Sequence, residues 1–196
     1  MPFEHDQSWD YLETIFNSQL PIKEAWNKIM EFHEKQKPAP YWTTLRQLDV
    51  ETEQVELKEW LEHVVSTSPI PESVAALWIG IIRLASDEGQ EIPAIYITGA
   101  DTYDKEDIDW TCEPVYVPKD SYTAPSILKE IDDLIKTDSE SFPFLDWILP
   151  LAYCALTLDE IIRTKLDRKL FLNGRKQLFV TTGHDDGDYL NLSTIS

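Results

Sequence analysis

Cysteine is nearly absent: Cys112 and Cys154 are the only two in 196 residues. Such a pair supplies neither a disulfide framework nor the clustered thiolates of a structural zinc site, so two buried free thiols in a reducing compartment are expected. Glycine is also scarce. Its six positions, 80, 89, 99, 174, 183 and 187, form neither GxGxxG nor a phosphate-cradling P-loop, which argues against the common nucleotide-binding designs. The four histidines, at 5, 33, 63 and 184, are scattered and make no HExxH, and no metal or other cofactor is expected. No run of 18 apolar residues occurs, and MPFEHDQSWD has neither the basic start nor the apolar core of a secretory leader. The expected location is therefore the cytoplasm.

Positive charge is the remaining shortage. Lysine and arginine total 17 against 36 aspartates and glutamates, a net charge of −19 at pH 7. Such a field repels phosphate backbones and anionic membranes and steers a basic protein toward the surface. The expected partner is thus a basic protein, with no role for nucleic acid or membrane. The excess is uneven: residues 101–109, DTYDKEDID, hold five carboxylates around one lysine, whereas the segment after residue 160 is slightly basic.

What is present suffices for one core. Hydrophobic residues make up 42% and aromatic residues 11%, so a single domain over 1–196 is expected, helical over 1–90 and mixed over 91–196. Trp9, Leu12, Ile15 and Phe16 outline a first helix. Ile22, Ala25, Trp26, Ile29, Met30 and His33 mark a second at three- and four-residue spacing, and Val55, Leu57, Trp60, Leu61, Val64 and Val65 mark another. Trp26, Trp60 and Trp78 are expected in the core. Residues 72–86, ESVAALWIGIIRLAS, are apolar on nearly every side, which predicts the central buried helix.

The period then changes. Short β-branched runs predict strands at 92–98 and 112–117, the second at an edge because Pro114 and Pro118 remove ladder donors. SILKEIDDLIK at 126–136 is helical, with Ser126 as its expected cap. Pro150 should kink or interrupt the apolar run 142–156, and Thr157, three residues before Glu160, should open a separate helix that Asn173-Gly174 ends. KQLFVTTG and DYLNLSTI, expected strands over 177–183 and 189–195, flank GHDDG and predict a C-terminal β-hairpin. The fold class is therefore α+β: several helices on a small, mostly antiparallel sheet of three to four strands.

Two segments concentrate chemistry. His184, Asp185, Asp186 and Asp188 place one imidazole and three carboxylates within five residues, enough for a hard cation or acid-base work if they converge, although Asp-Gly is also a turn signal. Asp101, Asp104, Glu106, Asp107 and Asp109 surround Tyr103 and precede Trp110, where carboxylates would steer a partner and the aromatics would anchor it. All eleven residues are candidate partner contacts.

Through DTYDKEDIDW and GHDDGDYLNL the chain resembles the immunity proteins of bacterial toxin systems. The resemblance implies a non-catalytic cytoplasmic inhibitor that covers the active site of a cognate toxin, often a nuclease with a basic surface. Two other readings stand beside it: a metal-assisted hydrolase using the C-terminal acidic turn, and a housekeeping or regulatory domain without catalysis. A hydrolase requires His184 and at least two carboxylates to converge on a pocket or ion.

Overall fold

The computed structural model describes residues 3–85, 89–185 and 187–196. Four helices come first: α1 (His5–Asn17), α2 (Ile22–Gln36), α3 (Tyr41–Gln47) and α4 (Val50–Thr67). Their buried residues follow the apolar stripes, Leu12 and Ile15 in α1 and all six stripe residues from Ile22 to His33 in α2. Trp26 is fully buried, but Trp60 sits half-buried at the rim, its indole N–H reaching the Asp120 carbonyl at 3.3 Å.

The expected helix over 72–86 is instead a strand, β1 (Ala76–Ala85). Leu77, Ile79 and Ile81 pack against the helices, while Ala76 and Trp78 belong to a second cluster on the opposite face. A strand covered on both faces carries the same unbroken apolar run as a buried helix, so periodicity does not separate the two. Three isoleucines favour the strand, and Gly80 weakens a helix. Gly80 is also needed here: a Cβ would lie 2.2 Å from the Tyr96 ring and 2.6 Å from the Trp78 indole nitrogen.

The next strand, β2 (Glu91–Ala100), pairs antiparallel with β1 over its whole length, Ala76 opposite Ala100 and Ala85 opposite Glu91. The strand expected at 112–117 does not form. A 3-10 turn at Ile108–Cys112 is followed by one bridge, Tyr116 to Gly99, and then by β3 (Tyr122–Thr123) on the outer edge of β2. Two prolines within five residues reduce the ladder to isolated contacts.

Helices α5 (Ser126–Ile135), α6 (Phe142–Thr164) and α7 (Arg168–Leu172) lead to the hairpin of β4 (Phe179–His184) and β5 (Tyr189–Asn191). The sheet order is β3-β2-β1-β4-β5, with β4 parallel to β1 and the other pairs antiparallel. The class is α+β as expected, but the sheet is mixed and has five strands. The miscount follows from β1, whose reading as a helix left β4 without its parallel neighbour. The hairpin is present, Gly183 opposite Tyr189, with β5 shorter than 189–195 and Ile195 returning as a bridge to Leu178.

Pro150 does not interrupt α6, and Thr157 does not open a new helix. Every residue from Ile148 to Asp159 is buried, and that burial outweighs the one backbone bond a proline removes. The break falls after Thr164. Asp167 accepts from the N–H groups of Lys169 and Leu170 to start α7, and Asn173, at φ 44°, ends it.

Three helices start at prolines that provide no side-chain cap, α2 at Pro21, α3 at Pro40 and α5 at Pro125. Distant carboxylates fill the places at α2 and α5. Glu160 of α6 accepts the Ile22 N–H at 2.7 Å, and Glu53 of α4 accepts the Ser126 N–H at 2.9 Å and its hydroxyl at 2.6 Å. Ser126 is thus the first residue inside α5 rather than its cap. Part of the acidic excess is structural, satisfying orphan donors where the helix dipole favours negative charge.

Candidate protein-binding face

Side chains alternate across a strand, so the sheet has a second face turned away from the helices. Trp78 of β1, Tyr96 of β2 and Phe179 and Thr181 of β4 lie there, with Tyr189 and Asn191 of β5. The acidic loop folds back over one end of this face. Tyr103 stacks on Phe179 at 4.2 Å with rings 7° from parallel, and its ring centroid is 5.5 Å from that of Trp110, which joins Ala76, Trp78 and Ala100.

Polar contacts fix the same loop. Asn191 accepts from the hydroxyls of Tyr103 at 3.2 Å and Thr181 at 2.9 Å, and its amide donates to the Lys105 carbonyl at 3.0 Å. The Tyr189 hydroxyl donates to that carbonyl at 3.2 Å. Asp104 and Asp107 each accept a backbone N–H two residues on, at 2.9 Å, and so shape the turns. The outcome is a division by side-chain type: Tyr103 is half-buried and Trp110 is 9% exposed, whereas Asp101, Asp104, Glu106, Asp107 and Asp109 are exposed. The two aromatics hold the loop to its own sheet, and the carboxylates face outward. Burial raises the Tyr103 phenol, and burial together with the field of Glu106, Asp107 and Asp104 raises that of Tyr189.

The terminal turn is held differently. His184 Nε2 lies 2.9 Å from the Trp147 carbonyl, a contact in which Nε2 carries a proton and donates it. Asp188 Oδ2 accepts the Trp147 indole N–H at 2.9 Å. On the other face, Asp185 accepts from the Tyr96 hydroxyl at 2.6 Å and from the Trp78 indole at 3.4 Å. Burial first, and then the bond to Asp185, raises the Tyr96 phenol. Asp186 lies outside the described residues. Among the described residues no three of His, Cys, Asp and Glu gather as a metal shell. His184, Asp146 and Asp185 do line one cavity of about 310 Å³, mainly apolar, beside Pro150. There Asp146 is ion-paired with Arg83, which also holds Asp132 at 2.8 Å.

Two grooves border the loop. One of about 450 Å³ runs between the loop and the segment after it, with Asp101, Asp109 and Glu113 beside Trp110 and the half-exposed Val115. The other, also about 450 Å³, separates α1 from the loop and hairpin and is lined by Trp9, Glu13, Phe16, Glu106, Asp188 and Tyr189 among others. Trp9, Glu13 and Phe16 were not among the candidates. Their spacing of four and three puts them on one helical face, but Trp9 and Phe16 read from sequence as part of the core stripe. No helix among the described residues is long and apolar enough to cross a membrane. Comparison with protein-family models, with curated proteins and with solved structures finds no match for this chain.

Proposed function

We propose that this chain is a non-catalytic acidic protein-binding domain that docks a basic protein through the face built by 101–110 and the C-terminal hairpin, acting as an immunity protein toward a cognate toxin. One observation carries the reading: five carboxylates project from a loop whose two aromatic side chains are packed inward on the sheet. A loop ordered before docking has less conformational entropy to lose on binding, and clustered exposed carboxylates accelerate encounter with a basic surface.

The rival, a hydrolase at the terminal turn, is favoured by the cavity that gathers His184, Asp146 and Asp185. Against it, Asp146 is neutralised by Arg83 and Asp185 is occupied by Tyr96. Docking accounts for more of the charge.

The test begins with capture and identification of the bound protein from the native cell, followed by surface-plasmon-resonance kinetics and an assay of that protein's activity. Asp104→Asn with Asp107→Asn keeps both turn acceptors while removing two charges. It should slow association at least threefold at low salt, flatten its salt dependence and change dissociation less than twofold. Tyr103→Ala should mainly raise the off-rate by releasing the loop. Unchanged rates in both variants, or a captured partner that is acidic, would overturn the proposal.

A further inference from the structure

We infer that the groove between α1 and the hairpin is a subsite for an arginine side chain of the basic partner, an inference that rests on the docking function above. Trp9 and Phe16 from one end of the chain and Tyr189 from the other supply aromatic faces; Glu13, Glu106 and Asp188 supply carboxylates. Trp147 of α6 registers the two walls. Its ring lies 6.3 Å from that of Trp9, 17° from parallel, and its N–H holds Asp188 by one oxygen, the other having no side-chain partner among the described residues.

Three carboxylates outnumber Lys105, the one cation among the groove's described lining residues. Among the described residues Glu13 has no ion-pair partner, and Glu106 meets only its neighbour Lys105 at 3.0 Å, with both side chains more than two-thirds exposed. An exposed pair of that kind is weak and easily exchanged. Aromatic faces beside carboxylates match a guanidinium, which is planar, weakly hydrated and able to stack and to bond a carboxylate through two N–H groups. A lysine ammonium offers neither the plane nor the fork. An anionic ligand would meet three carboxylates, and the open, polar walls do not suit an apolar one.

The test titrates 15N-labelled protein with an acetylated, amidated tri-arginine peptide and with its tri-lysine counterpart at about physiological salt. The Trp9 and Trp147 indole signals and the amides of 188–190 should shift saturably with tri-arginine, and tri-lysine should bind at least threefold more weakly. Glu13→Gln with Glu106→Gln should weaken tri-arginine at least fivefold. Glu56→Gln with Glu59→Gln removes equal charge from the exposed side of α4, outside both grooves, and should change binding less than twofold. Equal weakening by both double variants, no preference for arginine, or shifts that never saturate would overturn the subsite. A captured basic protein whose association is indifferent to Glu13→Gln would remove the subsite and leave docking intact; saturable peptide binding without any basic partner would do the reverse.

Discussion

His33 shows how one side chain ties stability to pH. It is fully buried, with Nδ1 2.9 Å from the Ile29 carbonyl and Nε2 3.2 Å from the Ser8 hydroxyl, so the neutral ring donates to the first and accepts from the second. Phe3, Phe32, Trp42 and Phe144 surround it. Burial lowers its pKa from 6.5 to about 4, against a raising contribution from the Ile29 bond. Between those values the unfolded chain binds a proton that the folded chain refuses. Stability is therefore retained above pH 6.5 and lost as pH falls toward 4, by about 3 kcal/mol from this residue alone. Urea unfolding at pH 7 and pH 4.5 should show the loss, and His33→Gln should flatten it; equal slopes in the two proteins would assign it elsewhere. The position of His33 on a buried stripe was legible from spacing, as was the burial of Cys154, whereas Cys112, expected to be buried as well, is exposed. The inward turn of Tyr103 and Trp110 was not legible. Aromatics within an acidic loop have no periodicity to orient them, and the sheet face they cover is built from strands distant in sequence.

Among the elements, α5 gives the sharpest expectation. Its first turn depends on Glu53, a buried carboxylate contributed by α4. Glu53→Ala leaves the Ser126 donors without that acceptor and should destabilise the fold by about 1–3 kcal/mol in denaturant unfolding. Glu53→Gln keeps one acceptor oxygen and should lose less. A neutral Glu53→Ala would mean that water replaces the carboxylate at no cost. Sequence could not show this cap, because Glu53 and Ser126 are brought together only by tertiary packing. Helices with one dry face, α1, α2, α4 and α5, were legible from their stripes, although Val55, counted in the α4 stripe, is exposed. So were β2 and β4, whose short β-branched runs end in clear turns. Elements buried all round were not: β1 read as a helix, and α6 read as two.

For the molecule as a whole the charge of −19 has consequences beyond docking. Some carboxylates are matched locally, as where Lys37 meets Asp138 at 2.9 Å and Glu140 at 3.0 Å, or Arg163 meets Asp159 at 2.7 Å. The remainder repel one another in the compact state, and added salt screens that repulsion. The melting temperature should rise by several degrees between about 0.02 M and 0.5 M sodium chloride. A fall would show that the matched pairs dominate instead. The sign and location of the excess were legible from composition, but the use of Glu53 and Glu160 as helix caps emerged only from the fold.

The parallel pairing of β1 with β4 sets Trp78 opposite Thr181, across about half the chain. During synthesis β1 and β2 emerge early as a hairpin whose inner edge has no partner, and the sheet cannot close until residues 179–184 have been made. Pairings this distant in sequence make for slow folding and leave an unpaired strand edge open to aggregation in the meantime. Phe179 and Asn191, which hold the acidic loop in place, arrive with the same late segment. A nascent chain that already carries DTYDKEDID therefore has its charges without their fixed arrangement, and competence to bind should appear abruptly as the hairpin docks.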